Sequence, residues 1–394
     1  MNKIELAPGV YFVGAVDWNQ RDFHGYNTPR GVTYNSYLIV DEKICLIDTV
    51  KAPFAAELLE RISDIIDPAK IDYVVTNHVE PDHSSALPAI MARAPQAKVV
   101  LTEQGRSGIL KHYQQNFDFQ IVQEGDVLDL GHRRLRFFPL PMLHWPDSMA
   151  SYLEEDQILF SNDAFGQHIC TTKPFDDENN LADVMYEASK YYANILMPFG
   201  KIVTKALAQL KPLPIKIIAP SHGVVWRSHI SDIVSKYADW GQGKTVKKVV
   251  IVYDTMWGST ERMARYILDG LAAAGVTGTL FKMSASTRSE IMAEVLEARG
   301  VLIGSSTINT SVLPTIGGLL IYMKGLKLSG KIGAAFGAYG WGGTAHTFTE
   351  EMLKGAGVEL AASALRVQWT PNQDEIDKCF QFGLDFGKRV LETP

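Results

Sequence analysis

The sequence is poor in cysteine, and its three cysteines, Cys45, Cys170 and Cys379, lie far apart. No two of them form the C-x-x-C pair of zinc ribbons and rubredoxin-type iron sites, and an odd number does not complete a disulfide framework. Cysteine usage therefore predicts a protein of a reducing compartment, where thiols stay free.

Long apolar runs and a basic excess are also missing. No stretch reaches the run of about 18 apolar residues that suggests a membrane span, and the N-terminal residues lack the apolar core of a signal peptide. With 38 basic and 44 acidic side chains, the formal net charge is −6, which is the wrong sign for neutralising phosphates. We therefore expect a cytoplasmic protein that has neither a membrane nor a nucleic acid as a partner.

The chain does contain enough apolar sequence for large cores, since 46% of its 394 residues are hydrophobic. This length predicts two or three domains at about 150 residues each. Residues 241–248, rich in Gly, Lys and Thr, indicate an exposed connection. We accordingly predict one domain over residues 1–246 and a second over residues 247–394.

The two predicted domains differ in their strand and helix patterns. In the first, β-rich runs outnumber helical patterns, which fits β-sheets with helices on their outer faces; "QIVQEGDVLDL" and "SYLEEDQILF" are each predicted as one strand. In the second, five strand–helix units follow one another, which predicts a doubly wound parallel sheet.

The stretch "NHVEPDH" at residues 77–83 concentrates two histidines and two carboxylates. The apolar run before it predicts a buried strand and the run after it a helix, so these residues lie on a strand-to-helix loop, where α/β proteins carry chemistry. Four such groups need a strong local positive charge to be held together, and a metal ion provides one.

Three further ligand-type residues follow apolar runs elsewhere: His144, Asp163 and His222. With the cluster they supply four imidazoles and three carboxylates, about what two metal ions need when one carboxylate bridges them. For His144 or His222 alone, an ordinary structural histidine is the alternative. Asp48 and Asp147 are either partners that orient imidazoles or ordinary loop carboxylates.

This set resembles the metal site of the metallo-β-lactamase superfamily, whose usual loop is His-x-His-x-Asp-His, except that Glu80 replaces the second histidine. That replacement, with a flavodoxin-like pattern after it, resembles the flavodiiron proteins over essentially the whole chain. A carboxylate ligand favours iron because it is a hard, anionic oxygen donor. The resemblance implies the following ligands: His78, Glu80 and His144 on one iron, Asp82, His83 and His222 on the other, and Asp163 as the bridge. Some family members leave the histidine at the position of His83 off the metal.

Three loops at successive strand ends indicate a mononucleotide site. "TMWGST" offers hydroxyls and backbone N–H groups to a phosphate without a basic side chain, resembles the FMN phosphate loop of flavodoxins, and is not a Walker loop. Trp257, Tyr339 and Trp341 are candidates to flank the isoalloxazine ring. The candidate FMN contacts are Thr255, Met256, Trp257, Gly258, Ser259, Thr260, Ser305, Ser306, Thr307, Ile308, Asn309, Ala338, Tyr339, Gly340, Trp341, Gly342 and Gly343.

The family resemblance implies an N-terminal metallo-β-lactamase-like αββα sandwich and a C-terminal flavodoxin-like doubly wound parallel sheet. It implies an oxidoreductase that reduces O2 to water, NO to N2O, or both, at a non-haem diiron site. The electrons would come through FMN from a rubredoxin-type donor, expected to be a separate protein because the chain has no C-x-x-C pairs. A head-to-tail homodimer would bring the flavin of one subunit to the irons of the other.

Two other functions compete with this prediction. One is a zinc-dependent hydrolase fused to a flavodoxin-like domain, against which Glu80 argues. The other is an electron-transfer module with a merely structural first domain, which would leave seven ligand-type residues unexplained. Trp145, His24 and Tyr26 are candidates for lining a gas pocket or donating protons, with loop structure as the alternative.

Overall fold

The structure is a computed structural model that describes residues 3–392. The chain divides into two compact units. The first unit runs to Tyr191 and takes in Lys201–Ala238, and the second consists of Tyr192–Gly200 and the chain from Asp239 onward. Between residues 3 and 392, no helix combines the length and the apolar character that crossing a membrane requires.

The first unit contains short strands followed by a mixture of strands and helices. Its strands are β1 (Ile4–Ala7), β2 (Val10–Phe12), β3 (Ala15–Asp17), β4 (Asp22–Phe23), β5 (Tyr26–Asn27), β6 (Val32–Tyr34), β7 (Tyr37–Ile39), β8 (Ile44–Ile47), β9 (Ile71–Val75), β10 (Lys98–Leu101), β11 (Phe119–Ile121), β12 (Val127–Asp129), β13 (Arg134–Pro139), β14 (Met149–Leu153), β15 (Ile158–Asn162) and β16 (Ile217–Pro220). Its helices are α1 (Ala55–Ser63), α2 (Pro81–Ser84), α3 (Leu87–Arg93), α4 (Glu103–Tyr113), α5 (Leu181–Tyr191), α6 (Gly200–Leu210) and α7 (Ile230–Gly241), the last two of which continue into residues of the second unit.

Two sheets form the centre of this unit. One has the order β1-β2-β7-β8-β9-β10-β11 and the other the order β12-β13-β14-β15-β16, while β3 pairs with β6 and β4 with β5. Between them lies one apolar core, to which Tyr37 and Val100 contribute from the first sheet and Phe137 from the second. Leu58 of α1 and Ile109 of α4 belong to a separate core on the other face of the first sheet. Sheets thus pack against each other with helices outside, as predicted.

Two of the predicted single strands are wrong. "QIVQEGDVLDL" is divided between β11 and β12, which belong to different sheets, because Gly125 turns the chain with a φ of +83°. "SYLEEDQILF" is the antiparallel pair β14 and β15, with Gln157 at a φ of +59° in the turn. The polar residues at each turn, "QEGD" and "EEDQ", include neither the proline nor the Asn-Gly pair that most clearly marks a turn, so the flanking apolar residues were joined into one strand.

The second unit alternates strands and helices. Its elements are β17 (Val246–Asp254), α8 (Ser259–Ala273), β18 (Thr277–Lys282), α9 (Arg288–Glu297), β19 (Ala298–Ser305), α10 (Pro314–Leu326), β20 (Ile332–Tyr339), α11 (Ala345–Gly355), β21 (Glu359–Leu360), β22 (Leu365–Gln368) and α12 (Gln373–Glu392). The sheet order is β18-β17-β19-β20-β21, β22 also pairs with β20, and every pair is parallel. This is the doubly wound sheet that the sequence predicts, and its order changes direction between β17 and β19.

A short segment from the middle of the chain belongs to this second unit. Asn194 donates a hydrogen bond to the Ser289 carbonyl at 3.1 Å and accepts one from the Tyr322 hydroxyl at 2.9 Å. Trp240 donates to Glu297 at 2.8 Å.

The predicted domain boundary between residues 246 and 247 falls one residue inside β17. Sequence spacing carries no signal that a segment such as Tyr192–Gly200 joins the second unit.

Candidate functional site

The seven predicted metal ligands meet at strand ends in the first unit. Two of them lie in the loop from β9 into α2 and two in α2 itself. The loop between β13 and β14 carries one, and the short segments that follow β15 and β16 supply one each. Five are buried and two are half-buried. In chain order they are His78, Glu80, Asp82, His83, His144, Asp163 and His222.

The side chains form two sets, in each of which one ligand-type atom per residue lies within 4.8 Å of the others. The first ligand group is His78, Glu80, His144 and Asp163, and the second ligand group is Asp82, His83 and His222. Each group contains histidine nitrogens facing carboxylate oxygens. In the second group, for example, His222 Nε2 lies 3.2 Å from Asp82 Oδ2.

Asp163 faces both ligand groups. Its Oδ2 lies 3.3 Å from His144 Nε2 and 3.7 Å from His78 Nε2, both of the first group. Its Oδ1 lies 3.2 Å from His83 Nε2 and 3.5 Å from His222 Nε2, both of the second group. One carboxylate thus presents a different oxygen to each group, which is the disposition of a bridging ligand.

Several of these atoms are buried without any hydrogen-bond partner among the described residues. They include both carboxylate oxygens of Asp82, Oδ2 of Asp163 and both ring nitrogens of His83. Burial of unpaired polar atoms is costly, and a coordinated cation would satisfy all of them at once. The donor set of imidazoles and carboxylates therefore fits two metal ions.

The carboxylates create a strongly negative local field. Burial alone lowers the pKa of His78, but hydrogen bonds with Asp147 and Glu80 outweigh it and raise the pKa to about 10. Burial likewise lowers the pKa of His83, and the charges of Asp82 and Asp163 raise it to about 9. The same negative field that raises these two pKa values would be neutralised by a bound metal cation.

Two hydrogen bonds orient ligand imidazoles from behind. Asp147 Oδ2 accepts from His78 Nδ1 at 3.0 Å and from the Val79 N–H at 2.8 Å. His222 Nδ1 donates to the Thr33 carbonyl at 2.6 Å. Because Nδ1 is engaged in both rings, Nε2 is left to face the carboxylates, which is how proteins fix a ligating histidine.

The sequence predicted such a role for Asp147 and, equally, for Asp48. Asp147 makes the contact, whereas Asp48 instead accepts from the backbone N–H of Asn77 at 2.7 Å and from its side chain at 3.2 Å. Asp48 thus holds the backbone of the ligand loop rather than an imidazole. Burial raises the pKa of Asp48 to about 6, although the positive charge of His83 acts to lower it.

Three residues near the metal site were missed by sequence reasoning. Tyr191 donates to Asp163 Oδ1 at 3.0 Å. The ring of His168 is fully buried 4.8 Å from that of His222, and burial lowers its pKa well below the usual value. Gln167 accepts from the Val224 N–H at 2.8 Å and so ties together the loops after β15 and β16. Gln167 and His168 follow Asp163 closely in the sequence, which is a weak signal for a role at the site, whereas nothing in the sequence singles out Tyr191.

The other candidates of the first unit lie close to the ligands. Trp145 places its ring 5.0 Å from that of His78, edge to face. His24 is largely exposed, with Nε2 3.9 Å from Glu80 Oε1, and Tyr26 lies 5.0 Å from the buried ring of His168. Aromatic side chains therefore lie beside the metal ligands, and the gas-pocket role of Trp145 stays a prediction.

The predicted FMN loops surround a cavity of about 390 Å³ at the carboxyl ends of β17, β19 and β20. It is lined by the predicted residues Met256, Trp257, Ser259, Ser306, Thr307, Ala338, Tyr339, Gly340 and Trp341. Trp369 and Thr370, which follow β22, also line it and were missed. The remaining predicted contacts belong to the same loops without lining the cavity: Thr255, Gly258, Thr260, Ser305, Ile308, Asn309, Gly342 and Gly343.

Local hydrogen bonds shape the first of these loops. Thr255 Oγ1 accepts from the Gly258 N–H at 3.1 Å, and Gly258, at a φ of +84°, directly precedes α8. Asp254 accepts from Ser284 Oγ at 3.1 Å and from Thr315 Oγ1 at 2.7 Å, which joins the loop to neighbouring segments. The N-terminus of α8 is thus presented to the cavity, as an anion site requires.

Large aromatic side chains at the cavity rim are exposed. Trp257 is 91% exposed, Trp341 is 81% exposed and Trp369 is 61% exposed. Trp341 and Trp369 lie 6.0 Å apart between ring centres. Exposed tryptophans grouped around a cavity indicate a planar apolar ligand or a partner surface.

Comparisons with known proteins agree with this geometry. The chain matches the family model described as ODP family beta lactamase over residues 32–223 and the Flavodoxin model over residues 251–383. It is 48% identical to a nitric oxide reductase of Moorella thermoacetica over 99% of both chains. The chain belongs to the flavodiiron protein family. In this family, the flavodoxin domain implies FMN and the other domain a diiron site.

Solved structures of this family extend over the whole chain. The rubredoxin oxygen:oxidoreductase of Desulfovibrio gigas is 38% identical and has a TM-score of 0.97, covering 100% of this chain and 99% of its own. The flavodiiron protein of Giardia intestinalis is 37% identical with a TM-score of 0.96, covering 99% of this chain and 97% of its own. The predicted fold class is therefore confirmed.

The contacts of Asp147 generate a first prediction. Asp147→Asn keeps the shape of the side chain but removes the charge that orients His78, so we expect metal affinity to fall roughly 10- to 100-fold while FMN stays bound. Titration of the loaded protein with a chelator measures this. Asp156→Asn, which removes a carboxylate bound to Arg133 at 2.7 Å in the same unit, is the control. Equal metal retention in both variants would show that Asp147 does not support the ligand.

Proposed function

We propose that this protein is an oxidoreductase that reduces O2, NO or both at a non-haem diiron centre, with electrons that reach it through FMN. The observation that carries the proposal is Asp163, whose two oxygens face two separate sets of ligand-type side chains. Names of full-length relatives, an oxygen oxidoreductase and a nitric oxide reductase, support a reductase over a zinc-dependent hydrolase.

Each of the two ligand groups would hold one iron. His78, Glu80 and His144 would hold one iron, Asp82, His83 and His222 the other, and Asp163 would bridge them. His83 is included because its Nε2 lies 3.2 Å from Asp163 Oδ1 and has no hydrogen-bond partner among residues 3–392. When bound, the irons and FMN would supply the electrons for the reduction.

The chain's own residues would select and position these groups. Glu80, with Oε2 3.3 Å from His78 Nε2 and 3.5 Å from His144 Nε2, adds a hard anionic donor that favours iron over zinc. The Tyr191 hydroxyl donates a hydrogen bond to Asp163 Oδ1 and would hold that carboxylate between the two metals. Trp145 packs on His78 and would limit water around the first ligand group.

FMN would occupy the 390 Å³ cavity of the second unit. The N-terminus of α8, with Ser259, would receive the phosphate, and Tyr339 and the rim tryptophans would flank the ring. A rubredoxin-type protein is the proposed donor, in keeping with the name of the Desulfovibrio relative. Exposure of the rim would leave a face of the ring open to such a donor.

Gas consumption tests the central proposal. We expect protein loaded with two irons and one FMN per chain, reduced anaerobically, to reoxidise when it is mixed with O2 or NO in a stopped-flow instrument. Glu80→His should lower the iron content and slow reoxidation at least about tenfold, because an anionic ligand is lost. Glu103→His, an exposed glutamate in the same unit, should change neither. Wild-type protein that reoxidises with neither gas would contradict the proposal.

A homodimer arranged head to tail is the proposed assembly, since it would bring the FMN of one subunit to the irons of the other. We expect the activity per chain to fall when the protein is diluted below the dimer dissociation constant, while iron and FMN stay bound. Analytical ultracentrifugation beside activity measurements checks this. Full activity of a sedimenting monomer would rule the arrangement out.

Ser259 tests the proposed phosphate position. It lines the cavity at the first residue of α8, and Ser259→Ala would remove one hydrogen bond to a charged group. We expect FMN affinity to fall roughly tenfold or more, with iron content unchanged. Fluorescence titration of apoprotein with FMN measures it, and Ser329→Ala, an exposed serine of the same unit, serves as control. Unchanged affinity would place the phosphate elsewhere.

A further inference from the structure

A buried ion pair lies on helix α5 of the first unit. Glu187 and Lys190 are three residues apart on this helix, each is 1% exposed, and Lys190 Nζ lies 3.6 Å from Glu187 Oε2. Taking two charges out of water costs free energy that their mutual attraction only partly offsets. Hydrophobic side chains of similar volume often replace such a pair without loss of stability, so stability alone does not explain its presence.

The other carboxylate oxygen of Glu187 faces the surface. Its Oε1 lies 3.6 Å from Arg30 Nε, and Arg30 Nη2 donates to Asp183 Oδ1 at 2.9 Å. The side chains of Arg30 and Asp183 are 40% and 46% exposed, so solvent screens their charges. Two basic and two acidic side chains leave this group neutral, and the pair that solvent screens least is Lys190 with Glu187.

A series of buried contacts joins Lys190 to the metal site. Lys190 Nζ lies 5.4 Å from the centre of the Tyr26 ring, the Tyr26 ring lies 5.0 Å from that of His168, and the His168 ring lies 4.8 Å from that of the ligand His222. All four side chains are buried, so solvent screens the charge of Lys190 only weakly on this side. Burial is the main cause of the low pKa of His168, and the positive charge of Lys190 lowers it further.

The ligand set gives such a charge a use. Glu80, Asp82 and Asp163 bring three carboxylates to two metals, and hard anionic ligands stabilise ferric iron relative to ferrous iron. An iron site that accepts electrons from a flavin needs its reduced state to be accessible. A fixed positive charge nearby favours the state that has gained an electron, and so acts against the carboxylates.

We propose that the buried pair on α5 sets the reduction potential of the metal site, with Lys190 raising the potential and Glu187 limiting that rise. The inference rests on the proposed function, because it concerns the iron that the ligand groups would hold. Both residues are positioning residues that act through their electric field and not as ligands. Tyr191, the residue after Lys190, donates to Asp163, so the end of α5 would supply both a support for the bridging carboxylate and a compensating charge.

A redox titration of the iron- and FMN-loaded protein tests this, with electron paramagnetic resonance of the half-reduced iron pair as the readout. In Lys190→Met we expect the ratio of ferrous to ferric iron at a fixed potential to fall about tenfold, which is about 59 mV per one-electron step. Glu187→Gln keeps the shape of the side chain and should shift the potential upward, because Lys190 is then uncompensated. Lys190→Arg keeps the positive charge and should stay close to the wild type.

Exposed residues of the same unit provide matched controls. Lys201→Met and Glu60→Gln change the net charge of the chain by the same amounts at exposed positions, and neither should move the potential, because solvent screens both sites. Lys190→Met leaves Glu187 buried without its cation, which can prevent folding. Glu187→Gln carries the test if that variant does not fold.

The outcomes separate this inference from the proposed function. Opposite shifts in Lys190→Met and Glu187→Gln, with wild-type potentials in Lys190→Arg and in the exposed controls, would support it. Variants that hold two irons per chain at the wild-type potential would overturn the inference and leave the proposed function standing, and so would equal shifts in the exposed controls. Wild-type protein that holds no reducible iron would overturn the proposed function and this inference with it.

Discussion

The placement of one carboxylate, Asp163, is the constraint on which the metal site depends. Asp163 is 1% exposed, and its two oxygens face nitrogens of both ligand groups. The Tyr191 hydroxyl donates a hydrogen bond to one of these oxygens, Oδ1. Burying this many ionisable groups without a cation would cost several kcal/mol per charge. Metal binding and the packing of the surrounding loops are therefore expected to be linked, because the metals supply the positive charge that compensates the carboxylates buried by the loops.

The rest of the unit holds the strand ends in register around that carboxylate. Gln167 ties the loop after β15 to the loop after β16, and Gly223 passes so close that a Cβ atom there would lie 2.1 Å from Gln167 Oε1. The Thr33 carbonyl fixes His222 from a third segment. Protein groups thus fix the orientation of the His222 ring independently of the metal, which lowers the cost of assembling the site.

The sequence predicted what is local and missed what depends on long-range packing. His78 to His83 stand out because their spacing is contiguous, and the FMN loops because each follows a strand at the switch point of a parallel sheet. Tyr191 and Trp369 have no such signal, since a buried helix residue and a residue after an edge strand reach their sites only through tertiary structure. The two runs that were each predicted as one strand were wrong for a related reason, because Gly125 and Gln157 turn the chain with positive φ angles outside a proline or Asn-Gly motif.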